Sequence, residues 1–120
     1  MGNNTFGESD LMAILGGVND GVIKLDRDAN YLALNRAAAE VFKQLGRDPQ
    51  EVIGKCVWKV FHEAAGTVVE RELKKALKEL VRTSYEFYLE PAKRWYETSV
   101  YPSKDGAILV FRDITKRKDK

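Results

Sequence analysis

The two side chains best suited to nucleophilic chemistry are the single cysteine and the single histidine, Cys56 and His62. A thiol and an imidazole act together only where the fold holds them within hydrogen-bonding reach. These two residues fall on separate short turns that do not orient them toward each other. We therefore expect a packed, inert cysteine and no enzymatic activity. A zinc site takes about four ligands, so one histidine also predicts no metal centre.

Phosphate and nucleic-acid chemistry lack their usual motifs in this sequence. No Lys-Ser or Lys-Thr follows the glycine pair Gly16-Gly17 at the spacing that a phosphate-binding loop requires. The chain carries 20 Lys and Arg residues against 18 Asp and Glu residues, a net charge of +2. That balance predicts no nucleic-acid partner. The basic residues at 116–120 are expected to form a solvated linker or the start of a helix.

Length and composition indicate one globular domain, with 120 residues of which 44% are hydrophobic. The sequence contains no run of about 18 apolar residues, so we expect no insertion into a membrane. Residues 1–8 do not form a signal peptide and are expected to be disordered or derived from cloning. A single cysteine suits a reducing compartment. We therefore expect a cytoplasmic protein.

The elements that must position any site begin with a helix at the N-terminus. Ser9 is a suitable N-cap, and Leu11, Ile14 and Leu15 lie at helical spacing. The glycine pair that follows ends this helix. Its apolar residues are candidates for a contact between two copies of the chain.

A β-hairpin and a capped helix are predicted next. Residues 22–26 and 31–35 read as two short strands around a five-residue turn at 26–30, in which Asp26 both ends the first strand and begins the turn. Asn35 can cap a helix over 36–45, and Gly46 supplies its left-handed end. A shorter helix is expected to begin at Asp48-Pro49.

The longest predicted helix begins at Thr67, where Glu70 completes a capping box, and ends near Arg82. Apolar residues at helical spacing predict its buried face. They are Val69, Leu73, Ala76, Leu77 and Leu80.

Aromatic and β-branched residues in the last third of the chain predict three strands, at 84–90, 94–102 and 106–113. Their short connections indicate antiparallel neighbours. The predicted fold class is therefore α+β, a five-stranded antiparallel sheet with helices inserted between the second and third strands and a flanking N-terminal helix. The last strand is apolar on both sides, so the N-terminal helix or a second subunit is expected to cover its second face.

Four motifs, in this order and spacing, resemble a PAS (Per-ARNT-Sim) domain over residues 9–118. The motifs are Asp20-Gly21-Val22-Ile23 with Asp26, Asn35-Arg36-Ala37-Ala38, Ile53-Gly54-Lys55 with Trp58 and Phe61, and Asp105-Gly106 with Phe111-Arg112-Asp113-Ile114-Thr115. Trp95-Tyr96-Glu97 and Tyr101-Pro102 are similar to the variety found in prokaryotic sensor histidine kinases and related signalling proteins.

The resemblance implies a ligand pocket between the inner face of the sheet and the inserted helices. Tyr96 and Thr98 are the side chains expected to orient a small ligand there. The candidate lining residues are Ile23, Leu25, Leu34, Val41, Val57, Phe61, Val69, Leu73, Tyr85, Phe87, Tyr96, Thr98, Val100 and Ile108.

The resemblance also implies an output segment, Asp113, Ile114 and Thr115, which joins the last strand to an outgoing helix. The PAS domain would then span 9–115, and 116–120 would begin a linker to an effector domain such as a histidine kinase of a two-component system. Three functions stay open at this point. The module binds a small ligand, or it works without ligand as a homodimeric relay, or it holds haem or flavin.

Haem and flavin are not expected as cofactors. The flavin-binding relatives carry Asn-Cys-Arg-Phe-Leu-Gln, whereas this chain reads Gly54-Lys55-Cys56-Val57-Trp58-Lys59, with the cysteine one place early. The haem-binding relatives use a histidine on the long helix, and His62 precedes that helix. An unidentified small molecule therefore remains the expected ligand of the sensor hypothesis.

Overall fold

The computed structural model describes residues 20–118. The predicted N-terminal helix and its candidate contact residues Leu11, Ile14 and Leu15 lie outside the described residues. In chain order the elements are β1 Gly21–Asp26, β2 Tyr31–Leu34, α1 Arg36–Gln44, α2 Pro49–Val52, α3 Val57–Val60, α4 Val68–Glu79, β3 Thr83–Leu89, β4 Arg94–Ser103, β5 Gly106–Asp113 and α5 Thr115–Lys118, with 3-10 turns at His62–Ala64 and Glu90–Ala92.

The strands form one antiparallel sheet in the order β2-β1-β5-β4-β3. β5 lies in the centre, with Phe111 opposite Gly21 of β1 and Asp113 opposite Tyr96 of β4. The helices α1 to α4 come between the second and third strands. The predicted α+β class and five-stranded antiparallel sheet are thus confirmed.

Asn35 explains why α1 begins where it does. Its Oδ1 accepts hydrogen bonds from the backbone N–H groups of Ala38 (2.9 Å) and Val22 (3.0 Å), and its Nδ2 donates to the Asp20 carbonyl (3.0 Å). One buried side chain therefore caps the helix and attaches it to β1. Gly46, at φ +77°, ends the helical segment in the left-handed conformation, as predicted.

α4 begins as predicted but ends earlier. Thr67 Oγ1 accepts from the Val69 N–H (3.1 Å), and the helix stops at Glu79, three residues before Arg82. Leu80 adopts the left-handed conformation at φ +57°, which turns the chain toward β3 and leaves this residue 51% exposed. The prediction that Leu80 belongs to the buried face was therefore wrong.

The inner face of the sheet and the helices that cover it form the core. Leu25, Leu73 and Val100 are among its fully buried side chains. Strand alternation brings every second residue of the strands to this face. Among residues 20–118, no helix has the length and apolar composition needed to cross a membrane.

Candidate functional site

A cavity of about 90 Å³ lies between the inner face of the sheet and the helices α1 and α4. Its walls are almost wholly apolar. For comparison, a dry engineered cavity of roughly 150 Å³ takes up benzene. The lining residues are Ile23, Tyr31, Val41, Phe42, Leu45, Val57, Phe61, Val69, Leu73, Tyr85, Phe87, Leu89, Tyr96, Thr98, Leu109 and Phe111.

Ten of the fourteen predicted pocket residues meet at this cavity. They are Ile23, Val41, Val57, Phe61, Val69, Leu73, Tyr85, Phe87, Tyr96 and Thr98.

The other four predicted residues lie elsewhere. Leu25 and Val100 are packed in the core away from the cavity, and Leu34 is a half-buried residue beside that core. Ile108 was assigned to the wrong face of β5, because the strand turns Ala107 and Leu109 inward and Ile108 outward.

Six lining residues were missed, and most of them carried a usable signal. On β5, Leu109 and Phe111 alternate with Ile108 and therefore face the opposite side of the sheet. On β3, Leu89 lies two residues after Phe87 and four after Tyr85, so all three face the same side. Phe42 and Leu45 lie at helical spacing with Ala38 and Val41 in the helix that the sequence predicts over 36–45. The sixth, Tyr31, begins β2 beside an irregularity in the β1–β2 pairing that sequence periodicity does not reveal.

Edge-to-face aromatic pairs stiffen the cavity walls. Tyr96 packs against Phe111 with ring centroids 5.5 Å apart, and Tyr31 packs against Phe42 at the same distance. Such pairs add stabilisation beyond simple burial. Gly21 makes room for the Phe111 ring, since a Cβ at this position would lie 2.1 Å from its nearest ring atom.

The few polar groups at the cavity are hydroxyls held in the neutral state. Burial raises the pKa of Tyr85 to about 12, and its hydrogen bond with Thr98 only partly opposes this. Burial also raises the pKa of Tyr31, with a further increase from Tyr85, while the positive charge of Arg47 acts in the opposite direction. The cavity therefore offers hydrogen-bonding groups without a charge of its own.

An ion pair joins the loop that follows α1 to the 3-10 turn His62–Ala64. Arg47 Nη2 contacts Glu63 Oε2 at 2.7 Å, and the two side chains are only 21% and 23% exposed. Burial alone would raise the pKa of the Glu63 carboxyl, but the hydrogen bond and charge of Arg47 outweigh it and hold that pKa below its usual value.

The predicted output segment is attached to β4 by backbone and side-chain hydrogen bonds. The Ile114 N–H donates to the Trp95 carbonyl (2.9 Å), and the Trp95 N–H donates to Thr115 Oγ1 (2.9 Å). Asp113 Oδ1 accepts from the Thr115 N–H (2.9 Å) and so caps α5. Partial burial works to raise the pKa of Asp113, but its bonds with Thr115 and Arg94 lower it overall.

Charged contacts hold α5 on the outer face of the sheet. Lys118 Nζ lies 2.6 Å from Glu86 Oε1 and 4.8 Å from the centre of the Trp95 ring. Glu86 and Glu97 are directly opposite each other on β3 and β4. Arg117 lies within 3.7 Å of both carboxylates and so offsets their mutual repulsion.

Cys56 and His62 do not join the cavity. Cys56 is a half-buried free thiol, and His62 is exposed in a separate, polar groove. A haem or flavin is far larger than the 90 Å³ available, and the histidine lies outside that space, so these residues do not fit either group. Within residues 20–118, no group of three His, Cys, Asp or Glu side chains is placed to hold a metal ion.

Comparisons with known proteins agree with this geometry. The family described as "PAS fold" matches residues 15–119. A domain of an HTR-like protein from Haloarcula marismortui is 27% identical, with a TM-score of 0.63, over 81% of this chain and 99% of that one. No curated protein matches in sequence.

Two further solved structures share the fold. The photoactive yellow protein domain of the sensor histidine kinase Ppr from Rhodospirillum centenum is 16% identical, with a TM-score of 0.65, over 89% of this chain and 93% of that one. The PAS domain of the quorum-sensing receptor RpfR from Cronobacter turicensis, in complex with BDSF, is 22% identical, with a TM-score of 0.64, over 82% of this chain and 97% of that one.

Proposed function

Because this chain belongs to the PAS-fold family, a family of regulatory sensor modules, we propose that it senses a small, mainly apolar molecule bound in the cavity. The observation that carries the proposal is the unfilled apolar space of about 90 Å³ beneath the sheet. Interiors are normally packed to crystal-like density, so space of this size in a small domain suits a ligand.

The chemistry of the lining sets the kind of ligand. Apolar side chains surround most of the space, and neutral hydroxyls of Tyr31, Tyr85 and Thr98 supply a few directional contacts. Such a lining favours a molecule with an apolar body and few polar atoms. The RpfR domain has been solved in complex with BDSF and in complex with C12:0, which supports the idea that this fold accommodates a bound ligand.

We propose that the signal leaves through Asp113, Ile114 and Thr115 to a downstream effector domain. Tyr96 and Phe111 touch both the cavity and this segment, because Tyr96 pairs with Asp113 across the strands and Phe111 precedes it by two residues. Burial and the negative charge of Asp113 both raise the pKa of Tyr96. A ligand that moves this aromatic pair would therefore shift the anchored end of β5.

A ligand-free homodimer is the second candidate. Residues half-buried on the outer face of β5, Ile108 and Val110, favour a covering partner. In that case the cavity would be an imperfection of packing, and signals would pass through a dimer contact made by Leu11, Ile14 and Leu15. We place either form in the cytoplasm and assign it no enzymatic activity.

Native mass spectrometry of freshly purified protein, never exposed to detergent, tests the ligand directly. We expect extra mass on the folded ion that is lost on denaturation. Val69→Trp, which fills the cavity, should abolish this mass, whereas Lys59→Trp places the same side chain at an exposed position of the open groove and should keep it. Bare, dimeric ions from the wild type would favour the ligand-free relay.

Amide hydrogen exchange tests the relay. Ligand should change the exchange rates of Ile114 and of residues 115–118, while those of α2, none of whose residues lines the cavity, remain constant. An unchanged rate at Ile114 in protein saturated with ligand would refute the proposed output route.

A further inference from the structure

Charged side chains form a row across the outer face of the sheet, from β1 to the edge strand β3. Glu86, Glu97 and Arg112 face outward, because each follows a residue that lines the cavity on the opposite face. Glu86 is paired across the strands with Glu97, and Glu97 with Arg112. Asp20, immediately before β1, completes this charged row, since its Oδ2 lies 3.0 Å from Arg112 Nη2.

The helix α5 places two cations on the same row. Arg117 Nη2 lies 3.6 Å from Glu97 Oε2 and 3.7 Å from Glu86 Oε2, and Lys118 is paired with Glu86 at 2.6 Å. Acidic and basic groups therefore alternate from the point where the chain enters the sheet to the segment by which it leaves. Their order is Asp20, Arg112, Glu97, Arg117, Glu86 and Lys118.

Glu97 is the carboxylate for which two guanidinium groups can compete. Arg117 contacts it, whereas Arg112, directly opposite on β5, is paired with Asp20 instead. Asp20 and, more weakly, Glu97 both raise the pKa of Arg112, so the charge of Glu97 already acts on this guanidinium. The Arg112 side chain is 53% exposed and has room to turn. Without Asp20, its nearest acidic neighbour across the strands would be Glu97.

We infer that Asp20 regulates how firmly the sheet holds α5, through competition between Arg112 and Arg117 for Glu97. With Asp20 in place, Arg112 is occupied and Glu97 holds Arg117. When movement of the chain draws Asp20 away, Arg112 pairs with Glu97 and the hold on α5 weakens. None of these residues lines the cavity, so the inference goes beyond the proposed ligand sensing. It gives α5 a second input, from the end of the domain where β1 begins.

Native-state amide hydrogen exchange of Ile114, followed by NMR in the 120-residue chain, measures the release of this segment. The Ile114 N–H donates to the Trp95 carbonyl, so it exchanges only when the segment leaves β4. Asp20→Asn should increase its exchange rate about two- to fivefold, the range that exposed ion pairs provide. Asp28→Asn makes the same substitution at an exposed position of the β1–β2 turn and should leave the rate unchanged.

Two further variants separate competition from simple loss of a contact. Arg112→Gln also removes the ion pair with Asp20, but it removes the competitor for Glu97 as well. The Ile114 rate should therefore stay at or below that of the wild type. Glu97→Gln removes the group for which the two arginines compete, so adding Asp20→Asn to it should cause no further increase.

Three results would overturn the inference. The first is an Ile114 rate that Asp20→Asn leaves unchanged. The second is an increase with Arg112→Gln as large as that with Asp20→Asn, because the lost ion pair alone would then explain both. The third is an equal effect of Asp20→Asn with and without Glu97→Gln, which would show that Glu97 does not connect Asp20 to α5. None of these results would bear on the binding of a ligand in the cavity.

Discussion

Val69→Ile should stabilise this protein, because the added methyl group enters unfilled space. Val69 is a 3% exposed residue of α4 and lines the cavity. Leaving about 90 Å³ empty forgoes stability of about 2 kcal/mol, at roughly 24 cal/mol per Å³. One added methylene recovers about 0.8 kcal/mol of that amount.

Thermal unfolding followed by circular dichroism measures this gain. For a domain of this size, about 0.8 kcal/mol corresponds to an increase in Tm of roughly 3–6 °C. The matched control is Val100→Ile, since Val100 is 0% exposed and does not line the cavity. There the same methyl group has no free space and should lower stability by about 1–3 kcal/mol.

Destabilisation by Val69→Ile would refute the prediction that the added methyl group enters unfilled space. If Val69→Ile destabilised the protein as much as Val100→Ile, the space beside Val69 would not accept even one methyl group. The cavity could not then hold a ligand without rearrangement of its walls.

Leu80→Gly should raise the free energy of unfolding by about 1 kcal/mol in urea titrations, because glycine adopts the left-handed conformation without strain; a loss would mean that the Leu80 side chain makes stabilising contacts. Asn35→Ala should lower that free energy by about 2–4 kcal/mol, through loss of the cap and an unpaired Val22 N–H; a change below about 0.5 kcal/mol would contradict this. The pKa of Glu63 is lowered in the folded state. The contribution of the ionised Glu63 carboxylate to the free energy of unfolding is therefore complete above the unfolded pKa of about 4.3, and it disappears as pH falls through the folded pKa. The difference in urea midpoint between wild type and Glu63→Gln should therefore be full at pH 7 and reduced at pH 3, and an equal difference at both would be contrary evidence.

Local features of the sequence predicted the element boundaries well. Caps depend on residues within one helical turn, so Asn35, Gly46 and Thr67 could be assigned without knowledge of the rest of the chain. Leu80 was mispredicted because periodicity continued past the point where the backbone had to turn into β3. The strand spacing and turn residues were sufficient for the α+β class.

The details of the cavity depended on contacts between distant residues. β5 is apolar on both faces, so composition alone could not decide whether Ile108 or Leu109 faces inward, and only pairing with β1 and β4 does so. The Arg47–Glu63 pair joins the end of α1 to a 3-10 turn sixteen residues later. Neither residue belongs to a motif, so nothing in the sequence marks this pair.

The central position of β5 has a consequence for biosynthesis. Among the five strands, β5, which joins β1 to β4, is synthesised last. Gly21 therefore cannot pair with Phe111 until β5 has been made. Until then the hairpins β1–β2 and β3–β4 each expose an unpaired edge, the arrangement that favours slow folding and association with other chains. This domain therefore most needs protection by chaperones after β4 has been synthesised and before β5 has emerged from the ribosome.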